Sequence, residues 1–382
     1  MQRPRSSQSP KRVGSGPSRP PISVGGFALS GSTSAGGFEG SESSGVDITD
    51  ESLPENGGER CNQATAIARR LLGLDIAEAA PISYIMTTAS VSGRLAHLGI
   101  LRFTGADALP FLQGQLSNDM QQLADNRPVL AAYSSAQGRV LALIYLLPHS
   151  SGVAAILPRE ILVPTLERLR KFVLRAKVRI EDAGETLVVA GHFGPNPNLA
   201  SRYVEHDGIG TATVGHDENR CWIIGAPERL APQADAALAQ TEARWRLADI
   251  RAGLPQVYAA TSEEFVAQML NLDLLDGISF TKGCYTGQEI IARTQHLGRI
   301  KRRLFRLRLP PGNWSIGQAV HLADGRRGRL TEVIESQEGI EALAVLNVEA
   351  NSAGGGEASG EPVVSAAELP LPYSLLGPHV GK

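Results

Sequence analysis

Residues 265–303 read FVAQMLNLDLLDGISFTKGCYTGQEIIARTQHLGRIKRR, a stretch that gathers glycines, one cysteine and a run of basic residues. Thr286-Gly287-Gln288-Glu289 has capping-box spacing, in which helix-end amides are satisfied reciprocally. It predicts a helix from near Gly287 through Ile290, Ile291 and Ala292. Cys284 then precedes a helix N-terminus and stands two residues after Lys282. A helix dipole and an ammonium both favour thiolate over thiol, so the pattern points to a reactive or ligand-contacting cysteine. The competing reading is a small buried side chain in a tight turn. Gly277-x4-Lys282-Gly283 places lysine before glycine, which reverses the P-loop order.

Upstream of this stretch, Gly99–Phe103 reads as a strand, and residues 104–107 form a turn into a helix carrying Ala108, Phe111, Leu112 and Leu116. Leu130–Ser134 and Val140–Leu147, joined through Ala136-Gln137-Gly138, read as a hairpin. Gly152–Leu157 is a strand and Ile161–Lys171 a helix. Ala176, Val178 and Ile180 alternate as a half-buried strand, and Leu187–Gly191 and Cys221–Gly225 are further strands. Gly194–Gly215 is expected to be loop and Ala231–Ile250 helix. Downstream the pattern turns to β: Phe305, Leu307 and Leu309 alternate with Arg306 and Arg308, followed by Leu330–Ile334 and Ala342–Val348, with a loop at Gly354–Gly360. The fold class is α+β with an all-β C-terminal module.

The 382 residues carry 37 Lys+Arg against 39 Asp+Glu, which excludes a broadly basic nucleic-acid coat. Cys61, Cys221 and Cys284 are too far apart for a CxxC, so a disulfide scaffold or zinc ribbon is not expected, and the eight histidines show no ligand spacing. The longest apolar run, Val140–Leu147, falls well short of the ~20 residues of a membrane span. No membrane contact is expected. Half of residues 1–60 are Ser, Gly or Pro, too few apolar groups to offset the entropy of ordering. The first 38 residues are basic and acid-free, as in a transit peptide, but Arg3–Arg19 lacks leucines at helical spacing. A disordered extension over 1–85, or a start at Met86, is the favoured reading; a cytoplasmic location goes with it, and the mitochondrial matrix is the alternative. Residues 64–79 have the spacing of a short helix.

Lys282-Gly283-Cys284-Tyr285-Thr286-Gly287-Gln288-Glu289 resembles the K-G-C-Y-x-G-Q-E motif of the YgfZ family, folate-binding proteins similar to the T-protein of the glycine cleavage system. The resemblance extends over most of 98–376. It includes Thr104–Asp107, Phe111–Gln115, Asn118-Asp119, Gln137-Gly138-Arg139, Trp245, Asp249-Ile250, Gly253-Leu254-Pro255, Gln268–Asp273, Gly277–Phe280 and Leu371–Leu375. It implies a T-protein-like ring of three domains around a folate pocket. The core would occupy 86–297, as two interleaved subdomains, and a C-terminal β-barrel 298–382. It implies tetrahydrofolate or a derivative as cofactor, and iron–sulfur client enzymes, including those of tRNA modification, as partners. Within that frame Cys284 and Lys282 carry the chemistry, with Tyr285, Gln288 and Glu289 beside the ligand. Trp245 walls the pterin, Asn118 and Gln268 hydrogen-bond it, and Arg251 and Arg293 meet its glutamate tail. Each has an ordinary alternative: core packing for Trp245, loop caps for the amides, surface charge for the arginines. Leu98 stands where some members carry a pocket tryptophan, and Ala267 where proline is common.

The T-protein uses an aspartate in its first-hairpin strand, whereas residues 138–144 here contain no acid, which argues against aminomethyl transfer. A folate-dependent one-carbon transferase stays as an alternative. A second is an RNA- or protein-binding scaffold built on Arg293, Arg299, Lys301, Arg302, Arg303, Arg306 and Arg308. Phe305 is the one aromatic among them, so the single-strand stacking pattern is weak. The bland reading of the basic run is a solvated strand edge. A lone motif cysteine supplies too few thiolates to hold an iron–sulfur cluster, so no metal site is assigned.

Overall fold

The computed structural model describes residues 91–194, 202–215, 217–230, 235–296, 299–349 and 363–375, all within the unit Ala68–Lys382. The extension over 1–85, the helix at 64–79, Met86 and the loop at Gly354–Gly360 lie outside them.

The first sheet has the order β3-β4-β5-β2-β6, built from β2 (Leu98–Thr104), β3 (Val129–Ser134), β4 (Val140–His149), β5 (Gly152–Pro158) and β6 (Arg179–Asp182). Two short helices, α1 (Ala108–Gln115) and α2 (Gln121–Ala124), lie between β2 and β3, and α3 (Arg159–Arg170) follows β5. One face packs Leu101, Phe103, Ile144 and Leu157 under Phe111 and Leu112 of α1 and Leu162 and Leu166 of α3. The other face, with Ile100, Tyr145, Leu147 and Ile156, meets the second sheet. Because both faces are covered, β4 reads as an unbroken apolar run instead of alternating.

The second sheet runs β1-β7-β10-β9-β8, with β1 (Val91–Arg94), β7 (Val188–Phe193), β8 (Val204–His206), β9 (Ile209–Val214) and β10 (Asp217–Gly225). The loop expected over 194–215 is therefore partly a hairpin. Its glycines signal loop, yet they stand within or beside paired strands. Gly210 is small because the Tyr203 ring lies on it: a Cβ there would come within 2.0 Å of the tyrosine oxygen. The strand expected from Ala176 begins only at Arg179, since Lys177 bonds the turn before α1, donating to Asp107 Oδ2 (2.6 Å). Helix α4 (Asp235–Ala252) follows and buries Trp245 in the core shared by the first two sheets.

After α4 the chain passes through two 3-10 turns to α5 (Gln288–His296) and enters the third sheet, ordered β15-β12-β13-β14-β11-β16. Its strands are β11 (Arg302–Leu309), β12 (Ala319–Leu322), β13 (Arg327–Ser336), β14 (Gly339–Asn347), β15 (Val363–Val364) and β16 (Ala367–Leu369). The two edge strands, β15 and β16, are joined by residues 365 and 366 alone. Three peptide steps reach at most ~11 Å, so the sheet must curl until its edges approach. One face forms its own core, with Phe305, Leu307, Ala344 and Leu346. The other, with Leu304, Leu343 and Val345, packs on Leu143, Ile250, Leu270 and Ile291.

Candidate functional site

Three separate runs of sequence converge at the motif. Lys282 reaches inward, and its ammonium donates to Gln113 O (2.6 Å), Leu116 O (2.7 Å) and Asn118 O (2.7 Å). Gln113 lies in the last turn of α1 and Leu116 is its C-cap, where the dipole is negative and a cation is favourable; Asn118 follows just beyond. Burial pushes the ammonium down to about 8 against the opposing pull of the Asp119 carboxylate, and hydrogen bonds to the three carbonyls also favour the charged form. Ser279 N donates to Ser117 O (3.0 Å) and Thr286 N to Gly114 O (3.3 Å), while Ser117 Oγ donates to Gly277 O (2.6 Å). The hairpin turn closes the cluster. Gly287, at φ 84°, lies so near it that a Cβ would come within 2.6 Å of Ser135 O, and one on Gly138 within 2.8 Å of Ile290 Cβ.

This geometry changes the expectation for the thiol. Cys284 is exposed, and α5 starts at Gln288, so the sulfur precedes the helix by a full turn. Lys282 is committed to α1 and, among the described residues, makes no hydrogen bond to Cys284. Its ammonium instead lies 5.0 Å from the centroid of the Tyr285 ring. Tyr285 is buried, and burial pushes its hydroxyl up to about 12. Gln288 and Glu289 form the first turn of α5, and Arg293 stands exposed in its last turn.

A cavity of about 220 Å³ is lined by Asn118, Gln122, Arg127, Pro128, Val129, Leu130, Tyr145, Thr213, Gly215, Leu254, Leu275 and Asp276. A second, of about 470 Å³, shares Leu254 and Leu275 as walls and adds Arg251, Leu274, Pro372 and Tyr373. Segment 113–118 connects motif to cavity: its carbonyls hold Lys282, and Asn118 lines the wall. The Asn118 amide is fully engaged. Nδ2 donates to Leu130 O (2.8 Å) and Asp276 O (2.6 Å), and Oδ1 accepts from Asp119 N (2.8 Å) and Gln122 Nε2 (3.3 Å). It shapes the wall and has no hydrogen bond left over. The hydroxyl of Tyr145 has no partner among the described residues; burial, then the nearby Asp249 carboxylate, raises its pKa and keeps it a donor.

The remaining expected contacts are placed elsewhere. Trp245 is 0% exposed, wedged against Gly191 and 4.8 Å from the Trp222 ring, with Phe193 edge-on at 5.5 Å. It is a core residue and lines neither cavity. Gln268 is also 0% exposed and donates to Ile291 O (2.7 Å), between α5 and β11. Arg251 lines the larger cavity but is held by Glu341 (2.7 Å) and Glu338 (2.7 Å). Tyr145, Arg127 and Leu275 were not singled out from sequence. Tyr145 is masked there by the continuous apolar run of β4, which carries no alternation to mark its facing.

The basic run does not form one face. Arg303 turns inward to a bidentate pair with Asp273 (2.5 and 2.8 Å), and Arg306 pairs with Glu341 (2.6 Å). Arg299 binds Glu349 and Arg302 binds Asn347. Arg293, Lys301 and Arg308 are exposed without ion pairs among the described residues. Within those residues no group of three His, Cys, Asp or Glu side chains could hold a metal ion, and no helix is long and apolar enough to cross a membrane. A larger cleft of about 1020 Å³ is lined by His149, Ser151, Tyr203 and Glu205, and no motif residue reaches it.

No family model matches the chain. The tRNA-modifying protein YgfZ of Pectobacterium carotovorum subsp. carotovorum (strain PC1) is 33% identical over 216 residues, 53% of this chain and 65% of that protein. That of Hamiltonella defensa is 32% identical over 59% of this chain and 70% of its own length. That of Yersinia pestis (strain Pestoides F) is 30% identical over 72% and 90%. Among solved structures, the glycine cleavage system aminomethyltransferase T from Bartonella henselae superposes with a TM-score of 0.53 at 15% identity, covering 68% of this chain and 78% of that one. That likeness gives the fold as the aminomethyltransferase type, with a curled C-terminal sheet. The chain belongs to the family of the tRNA-modifying protein YgfZ.

Proposed function

We propose that the chain is a folate-binding accessory protein that supports iron–sulfur enzymes, those of tRNA modification among them. The observation that carries the reading is the Tyr145 cavity. Its walls at Pro128, Val129, Leu130, Leu254 and Leu275 are apolar, and the tyrosine hydroxyl has no partner among the described residues. A flat pterin asks for an apolar wall and a few fixed polar groups. Leu254 and Leu275 would flank the ring, Tyr145 would donate to it, and the Asn118 network would keep the wall rigid. When bound, a tetrahydrofolate supplies a reduced one-carbon carrier. The three-domain ring belongs to this reading as well.

The strand that gives the T-protein its aspartate offers the cavity only Tyr145 here, a donor whose raised pKa makes it no base at neutral pH. That supports an accessory role over aminomethyl transfer. The exposure of Cys284, on a loop anchored by Lys282, supports a contact of the thiol with a client protein. The iron–sulfur cluster is then the client's. The test is complementation of a bacterial strain lacking its family member, read as the modification level of its tRNA. Wild type restores it and Cys284→Ala does not; rescue by Cys284→Ala removes the thiol from the mechanism.

A further inference from the structure

We propose that Arg127 receives the glutamyl carboxylates of the bound folate, an inference that rests on the folate reading above. A reduced folate is a neutral pterin with an anionic tail, so a site for the whole molecule needs a cation that is not already neutralised. Around the cavities most guanidinium groups are committed. Arg220 donates to Asp217 (2.6 Å) and Asp249 (2.7 Å), and Arg246 to Glu332 (2.5 Å). Arg251 and Arg306 share Glu341, and Arg303 is paired with Asp273. Redirecting Arg220, Arg246 or Arg303 to a ligand would strand a buried or half-buried carboxylate, and redirecting Arg251 or Arg306 would take away one of the two partners of the buried Glu341. Arg293 is exposed but lines neither cavity.

Arg127 differs on each count. It is the one basic residue lining the Tyr145 cavity, it is exposed, and it makes no ion pair among the described residues. Its backbone is nonetheless fixed. Its N–H donates to Gln122 O (3.0 Å), and Asn126 O accepts from Tyr203 N (2.7 Å). Pro128, which follows, restricts the Arg127 backbone to extended angles. A rooted residue with a free planar fork suits a carboxylate, which it binds bidentately. The ligand class is therefore a pterin bearing one or more glutamyl carboxylates, and the tail leaves past the 126–128 turn.

Calorimetric titration of the full chain with tetrahydropterin, tetrahydrofolate and its triglutamate tests this, in wild type, Arg127→Ala and Arg127→Lys. Arg127→Ala is expected to bind tetrahydrofolate about tenfold more weakly, and the triglutamate at least as much so, with tetrahydropterin binding unchanged. Arg127→Lys recovers part of the loss, and raising salt from about 0.05 to 0.5 M narrows the gap. Equal weakening for all three ligands, or none, overturns the assignment while leaving the folate reading in place. If wild type binds none of the three, the folate reading falls and takes this assignment with it.

Discussion

Lys282 and Cys284 are two residues apart in sequence yet have opposite placements. The lysine is buried and holds three carbonyls; the cysteine is exposed. Lys282→Met leaves those carbonyls without a donor, and such groups cost ~1–3 kcal/mol each when unsatisfied. Denaturant titration is expected to show a loss of about 3 kcal/mol. Lys282→Arg should recover little of it, because a planar fork does not match three converging acceptors. Cys284→Ser, at an exposed position, should stay within ~0.5 kcal/mol of wild type in the same titration. A large stability loss there would show that the thiol packs in the interior. The sequence suggested an ammonium beside a thiolate because spacing reports proximity along the chain and not the direction in which a side chain leaves it.

Among the elements, the motif loop and the β3–β4 turn fit against each other through Gly287 and Gly138. Gly287→Ala adds a Cβ 2.6 Å from Ser135 O at φ 84°. It is expected to cost ~2–3 kcal/mol in thermal or chemical unfolding, from clash and left-handed backbone together. Wild-type stability in that variant would mean the loop is not docked. This region was legible in sequence because the hairpin turn and its glycines are local signals. Trp245 was not. A tryptophan in a helix fits a pocket wall or a core equally well until its neighbours are known, and here Gly191 and Trp222 decide for the core. Trp245→Ala should therefore cost ~3–5 kcal/mol in unfolding experiments, and a loss of ligand binding in that variant would report on folding. Arg303 was equally opaque, since β11 has both faces covered and its inward arginine is visible only once Asp273 is brought opposite.

For the whole molecule, Glu341 links the third sheet to α4. Its side chain is 0% exposed and accepts from Arg251 and Arg306. Burial alone would raise its pKa, but hydrogen bonds from the two arginines outweigh that and hold it below the ordinary 4.5. The folded chain therefore releases this proton more readily than the unfolded one. The associated stability is complete above pH 4.5 and is lost as the pH falls through the lower folded value. Glu341→Gln should be less stable than wild type at pH 7, with the gap closing as the pH falls below 4.5; a gap independent of pH would place the carboxylate's contribution elsewhere.

The Tyr145 cavity is the proposed ligand site. Leu275 is half-buried and lines both cavities, so Leu275→Trp adds bulk to a wall common to the two. The decisive measurement is an isothermal titration of wild type and Leu275→Trp with tetrahydrofolate, beside a melting curve for each. Saturable one-to-one binding by wild type, weakened at least tenfold in Leu275→Trp at an unchanged melting temperature, is the predicted result. Wild-type affinity in a folded Leu275→Trp, or no saturable binding by wild type, would contradict it.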